Sequence, residues 1–134
     1  MTLMMLDNDV DVKNKVSILI VARSDRARHS LHFLLAMESW IEVVGLIDEE
    51  ASALEMIRQR CPALVILDTN LSDDQAWLRV LAQIKVEAPQ TRSLVLTNTL
   101  QKQQAAKAGG ADAVLIKGFP LTRLFETIKA LSSL

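Results

Sequence analysis

Five short apolar runs, each followed by a helix-length segment, set the architecture open to this chain. They are Val16–Ala22 (VSILIVA), Ile41–Ile47 (IEVVGLI), Ala63–Leu67 (ALVIL), Ser93–Leu96 (SLVL) and Ala113–Ile116 (AVLI). Continuous runs rich in valine, isoleucine and leucine fit strands covered on both faces, as in a parallel sheet. The segments between them carry helix signals. Ser24 or Asp25 caps the first, which Leu31, Leu34 and Leu35 mark and which ends near Glu38–Ser39. Asp48 starts the second, with Ala51, Leu54, Ile57 and Arg58 on successive turns, and Cys61-Pro62 stops it because proline cannot continue a helix. Asp73-Asp74 opens the third, with Trp77, Leu78, Leu81 and Ile84 inward, and Pro89 closes it. Gln101–Ala108 is a weak, polar helix that stops at Gly109-Gly110. The last helix follows Gly118-Phe119-Pro120 and turns Leu121, Leu124, Phe125, Ile128 and Leu131 inward.

Strands alternating with helices of this length require right-handed crossovers. The expected fold is therefore α/β, a three-layer αβα sandwich around a five-stranded parallel sheet. Its expected strand order is 2-1-3-4-5, the flavodoxin-like topology. In such sheets the site lies outside the carboxyl ends of the strands, at the switch point beside strands one and three.

Composition narrows the function classes. At 134 residues the chain has the size of one domain. Residues 1–14 show no sustained period and read as a flexible N-terminal arm; 15–134 form the domain. A hydrophobic share of 50% excludes a disordered protein. Fifteen basic residues against sixteen acidic ones leave no cationic field for nucleic acid. A single cysteine, Cys61, makes no intrachain disulfide and is expected to be a small buried hydrophobe. No apolar run approaches a membrane span, and the Met-rich start lacks the basic region of a signal peptide. A soluble, cytoplasmic protein with no membrane partner is expected. His29 and His32, at i and i+3, have no evident third ligand and read as solvated or half-buried. Trp40 and Trp77 read as packing residues. Gly109-Gly110 lacks the glycine spacing of a phosphate-binding loop, so no dinucleotide cofactor is expected.

The strand ends hold the candidate site. Strand one ends in Ala22-Arg23, strand three in Asp68, strand four in Thr97 and strand five in Lys117. One carboxylate, one hydroxyl and one ammonium therefore converge on one rim. Over about residues 15–134 the sequence resembles the response-regulator receiver domains of two-component signalling. The resemblance rests on Asp68 after ALVIL, Thr97 after SLVL, and Lys117 in AVLIKGFP after the AGGAD turn. It implies that Asp68 is the phospho-accepting carboxylate, that Thr97 hydrogen-bonds the aspartyl phosphate, and that Lys117 pairs with Asp68 and then with the phosphoryl oxygens. It implies a signalling module and not an enzyme, with a sensor histidine kinase or other signalling protein as partner. It also points to a partner or homodimer surface on the fourth helix, fifth strand and last helix, including Lys102, Ala105, Val114, Leu121 and Phe125.

Two departures qualify the resemblance. Receivers carry two adjacent acidic residues where strand one ends, and these hold Mg²⁺; here the positions read Ala22 and Arg23. Mg²⁺ wants carboxylate oxygens in near-octahedral array, which one carboxylate and two cations do not supply, so no cofactor is expected. Instead, Arg23 is expected to stand beside Asp68 and pair with it. The aromatic switch position of the family reads Val114. Two mechanisms stay open: Asp68 is phosphorylated with reduced Mg²⁺ dependence, or the domain is a pseudo-receiver working through protein contacts. The lost acidic pair favours the second. The alternative from another class is a small enzyme or ligand-binding domain on a flavodoxin-like fold. Ending at Leu134, the chain is either a stand-alone module or part of a longer chain.

Overall fold

The computed structural model describes residues 15–71 and 75–133. The arm expected at 1–14 lies outside the described residues, as do Asp73 and Asp74. In chain order the elements are β1 (Val16–Val21), α1 (Asp25–Ala36), β2 (Ile41–Ile47), α2 (Glu50–Arg60), β3 (Leu64–Asp68), α3 (Ala76–Glu87), β4 (Arg92–Thr97), α4 (Leu100–Ala108), β5 (Ala113–Ile116) and α5 (Leu121–Ser132). Every strand pair is parallel, and the order is β2-β1-β3-β4-β5, the topology the sequence predicts.

The apolar runs are buried on both faces, as their continuity requires. Ile18, Ile20, Leu64, Ile66, Leu94 and Leu96 point to one face and pack with Leu31 and Leu35 of α1 and Leu124, Ile128 and Leu131 of α5. Leu19, Val21, Val65, Leu67 and Val95 point to the other and pack with residues of α2, α3 and α4. Two helices cover one face and three the other. Each fully buried aliphatic side chain contributes about 1.5–3 kcal/mol by leaving water.

The α1 and α4 N-caps are chemical. Ser24 accepts from the Ala27 amide at 3.3 Å, and Thr99 accepts from the Lys102 amide at 3.1 Å. Between β1 and β2 the register shifts by one residue, so that Ile18 pairs with Val43 but Leu19 with Gly45. Gly45 has a packing reason. A Cβ there would lie 2.9 Å from Leu19 Cδ1 and 3.3 Å from Met56 Cε, so glycine is what lets Met56 of α2 settle on the sheet.

Two local expectations are corrected. The buried residues of α2 are Ala53 and Ile57, with Leu54 and Met56 packed beside them, whereas Ala51 and Arg58 are exposed. The helix starts at Glu50 with Glu49 as its cap, and Arg58 turns outward to the Glu87 carboxylate at 3.0 Å. Cys61 is exposed rather than buried. It ends α2 in the left-handed region, with φ of 42°, and its amide donates to Ile57. A residue before proline is kept out of the right-handed helical region, so the chain leaves the helix here and the thiol stays outside. Among the described residues no helix is long and apolar enough to cross a membrane.

Candidate functional site

The carboxyl rim of the sheet is held by backbone bonds that run past the strand ends. Ala22 N–H donates to Ile47 O at 2.9 Å, Thr69 N–H to Leu96 O at 3.1 Å, and Lys117 N–H to Thr97 O at 2.7 Å. These bonds fix where the side chains of positions 22, 68, 97 and 117 start from.

Asp68 is the last residue of β3 and is 4% exposed. Its Oδ1 accepts from the Asn70 amide at 2.8 Å, the local turn that aspartate favours at a strand end. Its Oδ2 lies 2.8 Å from Lys117 Nζ. The lysine side chain is 42% exposed and the aspartate side chain 5%, so the ion pair is wet on one side only. Gly118, at φ of 102° and with nothing near a would-be Cβ, turns the chain directly after Lys117. That conformation is open to glycine at little cost.

Thr97 ends β4 fully buried. Its Oγ1 accepts from the Thr69 hydroxyl and from the Thr99 amide, both at 3.4 Å. The hydroxyl keeps its own proton to donate and bonds to the neighbour of Asp68 rather than to Asp68. The rim thus gathers a nearly buried carboxylate, an ammonium on it, and a hydroxyl one residue away.

At the end of β1 the arrangement differs from expectation. Val21 pairs with Leu67, which sets Ala22 one step on, beside Asp68. Ala22 is fully buried and Arg23 is exposed. Among the described residues Arg23 makes no ion pair with Asp68; the partner of that carboxylate is Lys117. The physical reason lies on α1. Arg28, 8% exposed, reaches back across the strand end. Its Nη1 donates to Ala22 O at 2.6 Å and to Arg23 O at 2.8 Å, and its Nη2 pairs with the Asp25 carboxylate. The inward place is taken, so Arg23 turns out to solvent. Sequence reasoning missed Arg28. The available signal was spacing: Arg28, Leu31 and Leu35 fall at i, i+3 and i+7 and form the buried face of α1.

Among the described residues the donor set does not fit a hard divalent cation, which takes oxygen ligands with carboxylates foremost. Ala22 offers no side-chain oxygen, and Asp25 is engaged by Arg28. Both oxygens of Asp68 have donors already. Among the described residues no three of His, Cys, Asp and Glu gather as a metal site. His29 is exposed and His32 half-buried.

On the surface expected to meet partners, Ala105 and Val114 pack against the core. Phe125 meets Trp40 edge-on, with ring centroids 6.3 Å apart. Lys102 is half-buried. Leu121 is exposed, contrary to its expected inward place, and so are Leu100 at the start of α4 and Ile116 at the end of β5. A concavity of about 340 Å³ lies at the opposite end of the sheet, lined by Cys61, Pro62 and Thr91 among others.

Comparison with known proteins agrees with this fold. Residues 18–129 match the model of the response regulator receiver domain. The chain is similar to the sensory transduction protein LytT of Bacillus cereus, with 31% identity over 116 residues, which is 85% of this chain and 46% of that protein. It is similar to the response regulator protein VraR of Staphylococcus aureus, with 28% identity over 76% of this chain and 49% of that protein. The chain therefore spans about half the length of these curated relatives. Among solved structures, the signal receiver domain of a NarL-type response regulator from Mycobacterium tuberculosis superposes with a TM-score of 0.80 at 23% identity, covering 90% of this chain and 98% of that one. The response regulator domain of Thermotoga maritima CheB gives 0.79 at 20% identity, over 90% and 98% of the two chains. At those identities the structures speak for the fold.

Proposed function

The chain belongs to the response regulator receiver domain family of two-component systems, and from that premise we propose that it is a receiver that signals through protein contacts without a divalent cation and without phosphorylation of Asp68. The observation that carries this reading is the end of β1, where Ala22 offers no side-chain oxygen and the Asp25 carboxylate is engaged by Arg28. Among the described residues Asp68 therefore has no second free carboxylate beside it to seat an ion between β1 and β3.

Phosphoryl transfer to such a site requires an oxygen of Asp68 to attack phosphorus while the bond to the donor's leaving group breaks and the pair leaves with that group. The barrier is lowered by positioning and by neutralising the oxygens of the phosphoryl group. Lys117 and Thr97 supply a cation and a donor for this step; among the described residues the ion that completes the set in the family finds no cluster of ligands. The Asp68–Lys117 pair then serves as a fixed internal contact between β3 and β5 rather than as a reactive centre.

The partner class is a signalling protein, a sensor histidine kinase or another component of the same system, and the protein acts in the cytoplasm. We assign it no enzyme activity on a separate substrate. The exposed apolar side chains Leu100, Ile116 and Leu121 of α4, β5 and α5 supply contact area for a partner or a second copy. The test is incubation with a small acyl phosphate in Mg²⁺, read by intact mass. The unmodified chain should gain no phosphoryl mass, and incorporation on Asp68 would overturn the reading.

A further inference from the structure

The buried stripe of α1 has a counterpart on the opposite side of the helix. Arg28, Leu31 and Leu35 face the sheet. Arg26, Ser30, Phe33 and Met37 fall at i, i+4, i+7 and i+11, which is one stripe of a helix, and all four are exposed. Phe33 is 68% and Met37 71% exposed, so two large apolar side chains one turn apart stand in water.

The chain enters the fold beside this stripe. Val16 N–H donates to Trp40 O at 2.8 Å. Trp40 follows Met37 closely in sequence, so the segment before Lys15 joins the fold at the C-terminal end of α1. That segment carries Leu3, Met4, Met5 and Leu6 in a row, then Asp7, Asp9 and Asp11 against Lys13. The chain from Leu6 to Lys15 spans up to about 30 Å when extended. The 12 residues of α1 span about 18 Å, so the apolar group has the reach to meet any turn of the stripe. Methionine adapts its shape to an apolar partner. The one charge on the stripe, Arg26, is opposite in sign to the linking aspartates.

We propose that residues 3–6 fold back on α1 and cover Phe33 and Met37, so that this face is an intramolecular docking surface for the chain's own N-terminal segment. Apolar burial drives the contact, and the short tether keeps the effective concentration of the segment at the face high. A separate partner for the same face must then displace the segment. The contact does not depend on whether Asp68 takes a phosphoryl group.

The test is paramagnetic broadening in the full chain. A nitroxide is placed on Thr2→Cys, with Cys61→Ser so that the label has a single thiol to react with. The amides of residues 30–37 should lose most of their intensity relative to the reduced label, and adding Phe33→Ser and Met37→Ser should restore it. Both side chains are exposed, so these substitutions leave the core intact. Amides of α1 that stay sharp would leave the face to a separate partner and overturn the proposal. Broadening spread evenly over the surface, or broadening of α1 that persists in Phe33→Ser/Met37→Ser, would overturn it as well. In a mixture of spin-labelled chain with isotope-labelled chain that carries no nitroxide, α1 should keep its intensity. Loss there would place a second copy's segment on the face and contradict the intramolecular contact.

Discussion

Lys117 Nζ lies 2.8 Å from Asp68 Oδ2 and so joins β5 to β3, two strands that do not pair with each other because β4 runs between them. The contact closes over the carboxyl end of β4, where Thr97 sits buried. This ion pair ties the rim across three strands, and its disruption should be felt at both ends.

Lys117→Met keeps the stem and removes the charge, leaving Asp68 with the Asn70 amide as its remaining described donor. The loss should be about 1–3 kcal/mol, toward the low end because the lysine is half in water. Adding Asp68→Asn should return part of that loss, since the neutral amide no longer needs a cation. Urea unfolding of the two single variants and the double gives the coupling. Strictly additive losses would show that the pair has no energetic coupling.

The rim and the fold were legible to different degrees. β2 and β5 lie where the apolar runs place them, Asp68 and Thr97 end β3 and β4, and Lys117 directly follows β5. Those residues are set by strand period and topology, which a sequence displays directly. Arg28 was hidden because a charged residue in the first turn of a polar helix reads as solvated, and only the oxygens at the end of β1 give it reason to turn inward. The Arg23–Asp68 pairing failed for the same reason: a neighbour four residues after Ser24 had the inward place. Cys61 was misread because a half-turn at a helix end, not its own hydrophobicity, decides where the thiol points.

Gly110 and Gly118 both have positive φ, 94° and 102°. Alanine at either should cost about 1–2 kcal/mol from the left-handed backbone alone. At Gly110 a Cβ would also meet Lys85 Cε at 3.0 Å, but that is the far part of a flexible side chain. Thermal unfolding should therefore show similar losses for Gly110→Ala and Gly118→Ala. A neutral Gly118→Ala would mean that the turn after Lys117 is not held in this conformation.

α4 buries Ala106 as its one fully covered residue, whereas α3 buries Ala76, Trp77, Val80, Leu81 and Ile84. A short helix with so little apolar anchoring opens readily. Hydrogen exchange should find the amides of α4 less protected than those of α3 in the free protein, and a bound partner should slow them. Equal protection without a partner would contradict this.

Arg58 bridges Glu55 on its own helix and Glu87 on α3, and the hydrogen bond and charge of Glu87 hold its guanidinium above the usual arginine range. The pair is exposed, so water screens it. Glu87→Gln should change stability little, and about 1 M salt should erase the difference. A larger loss that persists in salt would show that the contact orders α2 against α3 by more than charge.

In the proposed function Asp68 is an internal ion-pair partner and not a phosphoryl acceptor, and intact mass distinguishes the two roles. The unmodified chain and Asp68→Asn are incubated with a small acyl phosphate, in Mg²⁺ and in chelator, and their intact masses recorded, with Ala22→Asp/Arg23→Asp as the rebuilt variant in which the acidic pair is restored. No phosphoryl mass is expected on the unmodified chain under either condition, and Mg²⁺-dependent addition is expected on the rebuilt variant. Phosphoryl addition to the unmodified chain, absent from Asp68→Asn, would contradict it.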